Sequence, residues 1–295
     1  VMFYIHGGGY TSGSSQEYPP YDGENLSKTG DVVYVSVNHR LNVLGFLDLS
    51  AFGKKYNSSA NVGVIDLVEA LKWVNGNIAS FGGDPDNVTI YGHSGGGGKV
   101  STLMNAPSAQ GLFHKAVAQS GTNIRFQKRE ITQRLGRTVV EELNLQPAQI
   151  DAIQTLPYAE LAAATQRAMR KVREQLVAEN DPNIGSRVGL SPTRDGSFLP
   201  YEATDARALA ISKDVPFMIG TAKNEFRLWG NLRMKDAPLD TIKSFIKKTY
   251  ADKTDAYIAA VKQAYPEDTK PRDLIDVDLS FRRNAVRHAN LKSSH

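Results

Sequence analysis

Residues 88–100 read Val88-Thr89-Ile90-Tyr91-Gly92-His93-Ser94-Gly95-Gly96-Gly97-Gly98-Lys99-Val100, and the architecture is decided there. Val88 to Tyr91 is a short β-branched and aromatic run, which reads as a strand. The glycines break it, and a helix-prone stretch follows to about Met104. A strand that passes through a tight turn straight into a helix is half of a βαβ unit, so the sheet is expected to be parallel. Within the turn, Gly92-His93-Ser94-Gly95-Gly96 fits G-x-S-x-G. A serine in that setting sits on a sharp, strained turn with its hydroxyl above the sheet, and the flanking glycines let the backbone close around it. The helix start behind it favours developing negative charge. A glycine-rich phosphate loop would open the same helix, but Gly98-Lys99-Val100 lacks the Ser or Thr that follows the lysine of such a loop. Ser94 is therefore the candidate nucleophile.

Upstream, Val1 to Ile5 is an apolar run that ends in His6-Gly7-Gly8-Gly9. Free of side chains, such a loop can turn two consecutive backbone N–H groups toward one point. The N–H groups of Gly8, Gly9 and Gly95 are the candidate oxyanion hole for a tetrahedral intermediate. A plain structural turn is the alternative, and the serine elbow argues against it. Val32 to Val37 reads as a second strand. From Asn61 the period changes: Val64, Leu67, Leu71, Val74 and Ile78 recur at steps of three and four, as on one face of a helix. Lys115 to Gln119 and Val215 to Ile219 restore the strand pattern. The stretch 127–180 is polar, helix-prone and without a strand signal. It is expected to be a helical insertion over one sheet edge, within a single α/β domain spanning 1–295. Three helical segments follow, from about Asp240, Lys253 and Arg272.

Composition narrows the function classes. The net charge of +4 is spread along the chain with no basic run, so a nucleic-acid partner is not expected. There is no cysteine, which excludes disulfides and thiol chemistry. No stretch reaches the apolar length of a membrane span. No close His/Asp/Glu cluster suggests a metal site, and no G-x-G-x-x-G opens a helix as a dinucleotide would require. The first residue is Val1 and already reads as strand, so the chain is expected to be a piece cut at both ends. Compartment, whether cytoplasmic or secreted, and oligomeric state are not legible.

Together these residues resemble the type-B carboxylesterase and cholinesterase family. The likeness extends through Asn38-His39-Arg40-Leu41, Gly45-Phe46-Leu47, Asn61-Val62-Gly63 with Asp66, Ala70-Leu71-Lys72-Trp73-Val74, and Asn77-Ile78. It continues with Phe81-Gly82-Gly83-Asp84-Pro85, Gly111-Leu112-Phe113, Gln119-Ser120-Gly121, and Asp195-Gly196 with Phe198-Leu199-Pro200. The resemblance implies an α/β-hydrolase fold, a mostly parallel central sheet with helices on both faces. It implies a carboxylic ester hydrolase working through a serine acyl-enzyme on a small-molecule ester, with no cofactor. It also places the triad acid in a segment like Gly220-Thr221-Ala222-Lys223-Asn224-Glu225, so Glu225 is carried over as that acid. On spacing alone Glu225 is an ordinary surface acid. The family includes non-catalytic adhesion domains, which have typically lost the nucleophile, whereas Ser94 is present here. Two departures stand out: His93 replaces the family's usual Glu before the serine, and Gly95 replaces the usual Ala after it.

The serine needs a base, and in this fold the order is Ser, acid, His. After Glu225 come only His288 and His295. His288 lies on the helical stripe Val277, Phe281, Ala285, His288, Leu291 and reads as a packed core residue, while His295 is the last residue of the chain. The catalytic histidine is therefore expected beyond residue 295. His6, His39 and His114 read as structural. Ser120 reads as a strand-end turn or a support for the triad. Phe226 and Trp229 read as core packing or as lining for an acyl pocket.

Overall fold

The computed structural model describes residues 1–181, 183, 188–225, 234–268, 270–277 and 280–294. The strands are β1 (Met2–Ile5), β2 (Tyr34–Ser36), β3 (Thr89–His93), β4 (Lys115–Gln119), β5 (Gln127–Lys128), β6 (Thr193–Arg194) and β7 (Phe217–Gly220). The helices among the described residues are α1 (Glu24–Gly30), α2 (Asn42–Phe46), α3 (Val62–Asn77), α4 (Gly95–Leu103) and α5 (Arg129–Glu142). They continue with α6 (Tyr158–Ala178), α7 (Ala206–Ile211), α8 (Leu239–Tyr250), α9 (Thr254–Ala264) and α10 (Ser280–Ser293).

Five strands form one sheet in the order β2-β1-β3-β4-β7, and every neighbouring pair is parallel. Parallel neighbours require crossovers; α4 lies in the one between β3 and β4, and α3 in the connection from β2 to β3, which passes β1. The register sets Phe3 beside Ile90 and Ile5 beside Gly92 on one face, with Tyr4 beside Tyr91 on the other. The first face belongs to the main core: Phe3, Ile5 and Ile90 are fully buried with Val64, Leu67 and Leu71 of α3 and Val100 and Leu103 of α4. The second carries a tyrosine cluster, with the Tyr4 ring 4.7 Å from Tyr21 and 5.2 Å from Tyr91. A second, smaller core gathers Ile242 and Ile246 of α8, Ile258 and Val261 of α9, and Leu274, Ile275 and Val277.

Several local readings shift. The strand expected over Val215 to Ile219 begins at Phe217, since Pro216 has no N–H to donate and contributes only its carbonyl, to Ala116 N at 3.0 Å. Gln127–Lys128, expected to be helical, is a two-residue strand that pairs in parallel with Thr193–Arg194. Behind it, α5 and α6 pack on each other and join the main core through Ile131, Leu135, Val139, Ala168 and Val172. The helix expected from Arg272 is a 3-10 turn over Pro271–Leu274, and α10 starts at Ser280.

Candidate active site

Parallel strands aim their C-terminal ends at one edge, where open α/β sheets bind ligands. Ser94 stands there between β3 and α4 at φ 56°, ψ −119°. This is a positive-φ conformation that non-glycine residues avoid and that persists only where the surroundings enforce it. The enforcement is visible. Ser94 N donates to Gln119 O at 2.8 Å, and Gly98 N donates back to Ser94 O at 3.1 Å, the first turn of α4. A Cβ on Gly92 would lie 2.6 Å from the Gly96 carbonyl carbon, so the elbow closes only because both are glycine.

The loop after β1 packs onto the elbow. Gly7 faces His93 O and the Cβ of Ser94, and Gly8 and Gly9 take positive φ of 80° and 64°. Thr11 N and Ser12 N close the turn on Gly8 O at 3.3 and 3.1 Å. Among the described residues, the N–H groups of Gly8 and Gly9 donate to no backbone carbonyl. Gly95 is the first residue of α4, where an N–H has no intrahelical acceptor. The replacement of alanine by Gly95 has a structural counterpart: a methyl there would lie 2.4 Å from both N and O of Gly9. The loop occupies space that an alanine would claim.

Glu225 lies five residues after the end of β7. Its Oε1 accepts from Ala222 N at 2.8 Å, and the side chain is half-buried. Ser120, after β4, is also at positive φ, 49°, and its N–H donates to Gly220 O at 2.8 Å. Ser94, Ser120 and the Glu225 loop thus follow three neighbouring strands, β3, β4 and β7. Gly121 next to Ser120 touches the elbow itself, since a Cβ there would meet Ser94 O. In the sequence Gly121 stands only as part of the Gln119-Ser120-Gly121 landmark; its close approach to the elbow is visible only in the structure.

No hydrogen bond joins the Ser94 hydroxyl to an imidazole among the described residues. His288 is buried at 3% exposure, packs at a tilt against Phe217 with ring centroids 4.9 Å apart, and shares a 2.6 Å hydrogen bond with Thr122 Oγ1 through Nδ1. Burial, aided by Lys292, lowers its pKa to about 4. His6 and His39 are buried and stacked at 4.7 Å. Burial first, and the charge of Lys99 second, lowers them to about 4 and about 2. His114 Nδ1 accepts from Val88 N at 3.1 Å. His93 is exposed. His295, Phe226 and Trp229 lie outside the described residues. Among the described residues, no three His, Cys, Asp or Glu side chains gather as a metal would need, and no helix is long and apolar enough to cross a membrane.

The sequence matches the carboxylesterase family over residues 1–286. It is similar to the para-nitrobenzyl esterase of Bacillus subtilis, with 33% identity across 100% of this chain and 57% of that protein. A human cocaine esterase is 37% identical over 77% of this chain and 37% of its own length. Among solved structures, an esterase from Clostridium hathewayi that can hydrolyze aliphatic aromatic polyesters superposes with a TM-score of 0.78. It shares 37% identity, covering 99% of this chain and 57% of the other. A carboxylesterase of Geobacillus stearothermophilus superposes at 0.74 with 30% identity, over 99% of this chain and 59% of the other. The architecture is therefore the α/β-hydrolase one these esterases share, and the chain spans little more than half the length of the longest-matching relatives.

Proposed function

We propose that this chain, which belongs to the carboxylesterase family, carries the nucleophile, oxyanion donors and triad acid of a serine carboxylic ester hydrolase. The observation that carries the reading is the strained, positive-φ Ser94 at the sheet's C-terminal edge, set against a glycine loop in which, among the described residues, Gly8 and Gly9 N–H donate to no backbone carbonyl. A hydroxyl held there is exposed to an ester carbonyl, and α4 presents its N-terminus to the charge that forms.

In this reading Ser94 Oγ attacks the carbonyl carbon of a small-molecule ester and loses its proton to a histidine. The N–H groups of Gly8, Gly9 and Gly95 hold the oxyanion. Collapse of the tetrahedral intermediate expels the alcohol, which takes the proton from the imidazolium and leaves an acyl group on Ser94. Water, deprotonated by the same histidine, then releases the acid. Glu225 orients the histidine and stabilises its charged form. Two strand spacings separate β3 from β7, about 10 Å, a gap that an imidazole between the two side chains would bridge. None of the described histidines is placed for that role, so the base is assigned to a histidine of the natural protein downstream of Glu225 and outside the described residues.

Steady-state hydrolysis of p-nitrophenyl esters by the full natural protein tests the reading. Ser94→Ala is expected to abolish turnover while leaving the circular dichroism spectrum unchanged. Turnover that survives in a folded Ser94→Ala protein would place the nucleophile elsewhere.

A further inference from the structure

Lys99 is the fifth residue of α4 and is completely buried. A lysine in a core is rare because its ammonium loses water there, and the usual remedy is a carboxylate partner. Here no described carboxylate forms an ion pair with it, and desolvation alone perturbs it. Its Nζ instead donates to the backbone carbonyl of His6 at 3.0 Å. The Tyr10 ring lies 5.9 Å from the ammonium. Both of those residues flank Gly7, Gly8 and Gly9.

The placement follows from the helix. Side chains on an α-helix lean toward its N-terminus, so a lysine one turn into α4 reaches back to the end of β1. Glycine at positions 95 to 98 strips that turn of obstruction: Gly96 lies against Ile5 O and Gly98 against the Tyr10 hydroxyl. The same helix that begins at the nucleophile therefore also grips the loop facing it.

The geometry points to Lys99 as a positioning residue of the oxyanion loop: its ammonium fastens the His6 carbonyl and so sets the Gly7-Gly8-Gly9 turn against Ser94. This rests on the serine-hydrolase reading of that loop. A charge-assisted bond in a dry interior is stronger than a neutral one, and a cation behind the loop adds positive potential where negative charge develops. The fold retains an unpaired buried charge that a linear apolar side chain would replace with a gain in stability, which marks the ammonium as serving something other than stability.

A pH dependence follows. Burial lowers Lys99 to about 7. The titratable groups facing it are His6 at the end of β1, Tyr10 in the loop and His39 after β2. His6 and His39 are held down to about 4 and about 2, so both stay neutral from mildly acid pH upward. Of the two histidines and the lysine, only the lysine changes charge near neutrality. Raising the pH through about 7 removes its proton, which leaves only a neutral, weaker bond to the His6 carbonyl and takes the positive charge away from behind the loop.

The experiment uses the full natural protein with Lys99→Met and Lys99→Gln variants. A fluorophosphonate first establishes whether Ser94 is labelled. Then kcat and KM for a p-nitrophenyl ester are measured across pH, with Tm for each protein. The wild type is expected to lose kcat as pH rises above about 7. Lys99→Met is expected to be ~10- to 100-fold lower in kcat near pH 7. Its KM should be nearly unchanged, its alkaline fall absent, and its Tm no lower than that of wild type. A labelled Ser94 together with an unchanged kcat and pH profile in the variants would overturn the inference and leave the hydrolase reading standing. Failure of both variants to fold would make the ammonium a structural prop and would overturn it as well. A wild type that is not labelled at Ser94 would remove the hydrolase reading, and the inference with it.

Discussion

Around Ser94 the decisive quantity is how closely two backbones approach. Gly9 comes so near Gly95 that a methyl on the latter would sit 2.4 Å from its N and O. The resemblance implies alanine at this position, and the proposed oxyanion loop is seated where the side chain of that alanine would stand. Gly95→Ala, conservative by family resemblance, is therefore expected to push the loop off its position. We expect kcat to fall by ~10-fold or more while KM changes less, because a displaced donor weakens the transition state more than the ground state. An unchanged kcat would mean that the loop absorbs the methyl without moving its N–H groups. The elbow and the glycine loop were legible in the sequence because their chemistry demands glycine at fixed offsets. Lys99 was not: a lysine beside a glycine run reads as a solvated side chain, and only its burial reveals otherwise. The role proposed for Glu225 rests on the resemblance, since a half-buried acid on a loop has no distinguishing spacing.

The helix α4 shows what its glycines are for. Four consecutive glycines weaken a helix by about 1 kcal/mol each relative to alanine. Each of the four faces a different neighbour: Gly95 meets Gly9, Gly96 meets Ile5 O, Gly97 meets Gly121 O and Gly98 meets the Tyr10 hydroxyl. Gly76 in α3 is the natural control, being exposed, with nothing within 4 Å of where a Cβ would stand. Gly76→Ala is expected to raise stability by about 0.5–1 kcal/mol through propensity and chain entropy. Gly97→Ala should destabilise instead, by about 1–3 kcal/mol, because its Cβ would lie 2.4 Å from a backbone oxygen. Chemical denaturation of the two variants checks the sign, and a stabilised Gly97→Ala protein would contradict the close-approach account. The strands of the sheet were readable from runs of β-branched residues, and β4 matches its expected bounds at Lys115–Gln119. The strand β5 escaped because two residues carry no period, and its pairing with Thr193–Arg194 lies 66 positions away in register.

Across the whole molecule, the landmarks that carry the family likeness turn out to be its tie points. Asn61, fully buried at the start of α3, donates to Thr193 O at 2.8 Å and to Asp195 Oδ2 at 2.9 Å, and its Oδ1 accepts from Thr193 N. Arg40 grips Asp66 with two parallel bonds of 2.9 and 2.6 Å. Gly45 and Gly63 both pack against Arg40 O, where a Cβ on either would lie at 2.4 Å. Asp48 accepts from Thr132 Oγ1 at 2.7 Å and anchors α5 to the loop before α3. The sequence pattern could name Asn61, Arg40, Asp66 and Asp195 but not pair them, because each bond closes a stretch of at least 26 residues. These bonds tie α3, α5 and the β6 segment to one another, while the ends of β1, β3 and β4 converge at the Ser94 elbow through the Gly7 contact and the Ser94 N–Gln119 O bond. The most direct test of that convergence is covalent: the full natural protein is treated with a fluorophosphonate and digested, and the adduct is mapped by mass spectrometry. The account predicts one adduct, on the peptide containing Gly92-His93-Ser94-Gly95, which disappears in Ser94→Ala; an adduct on another serine, or none on Ser94 in an ester-hydrolysing preparation, would contradict it.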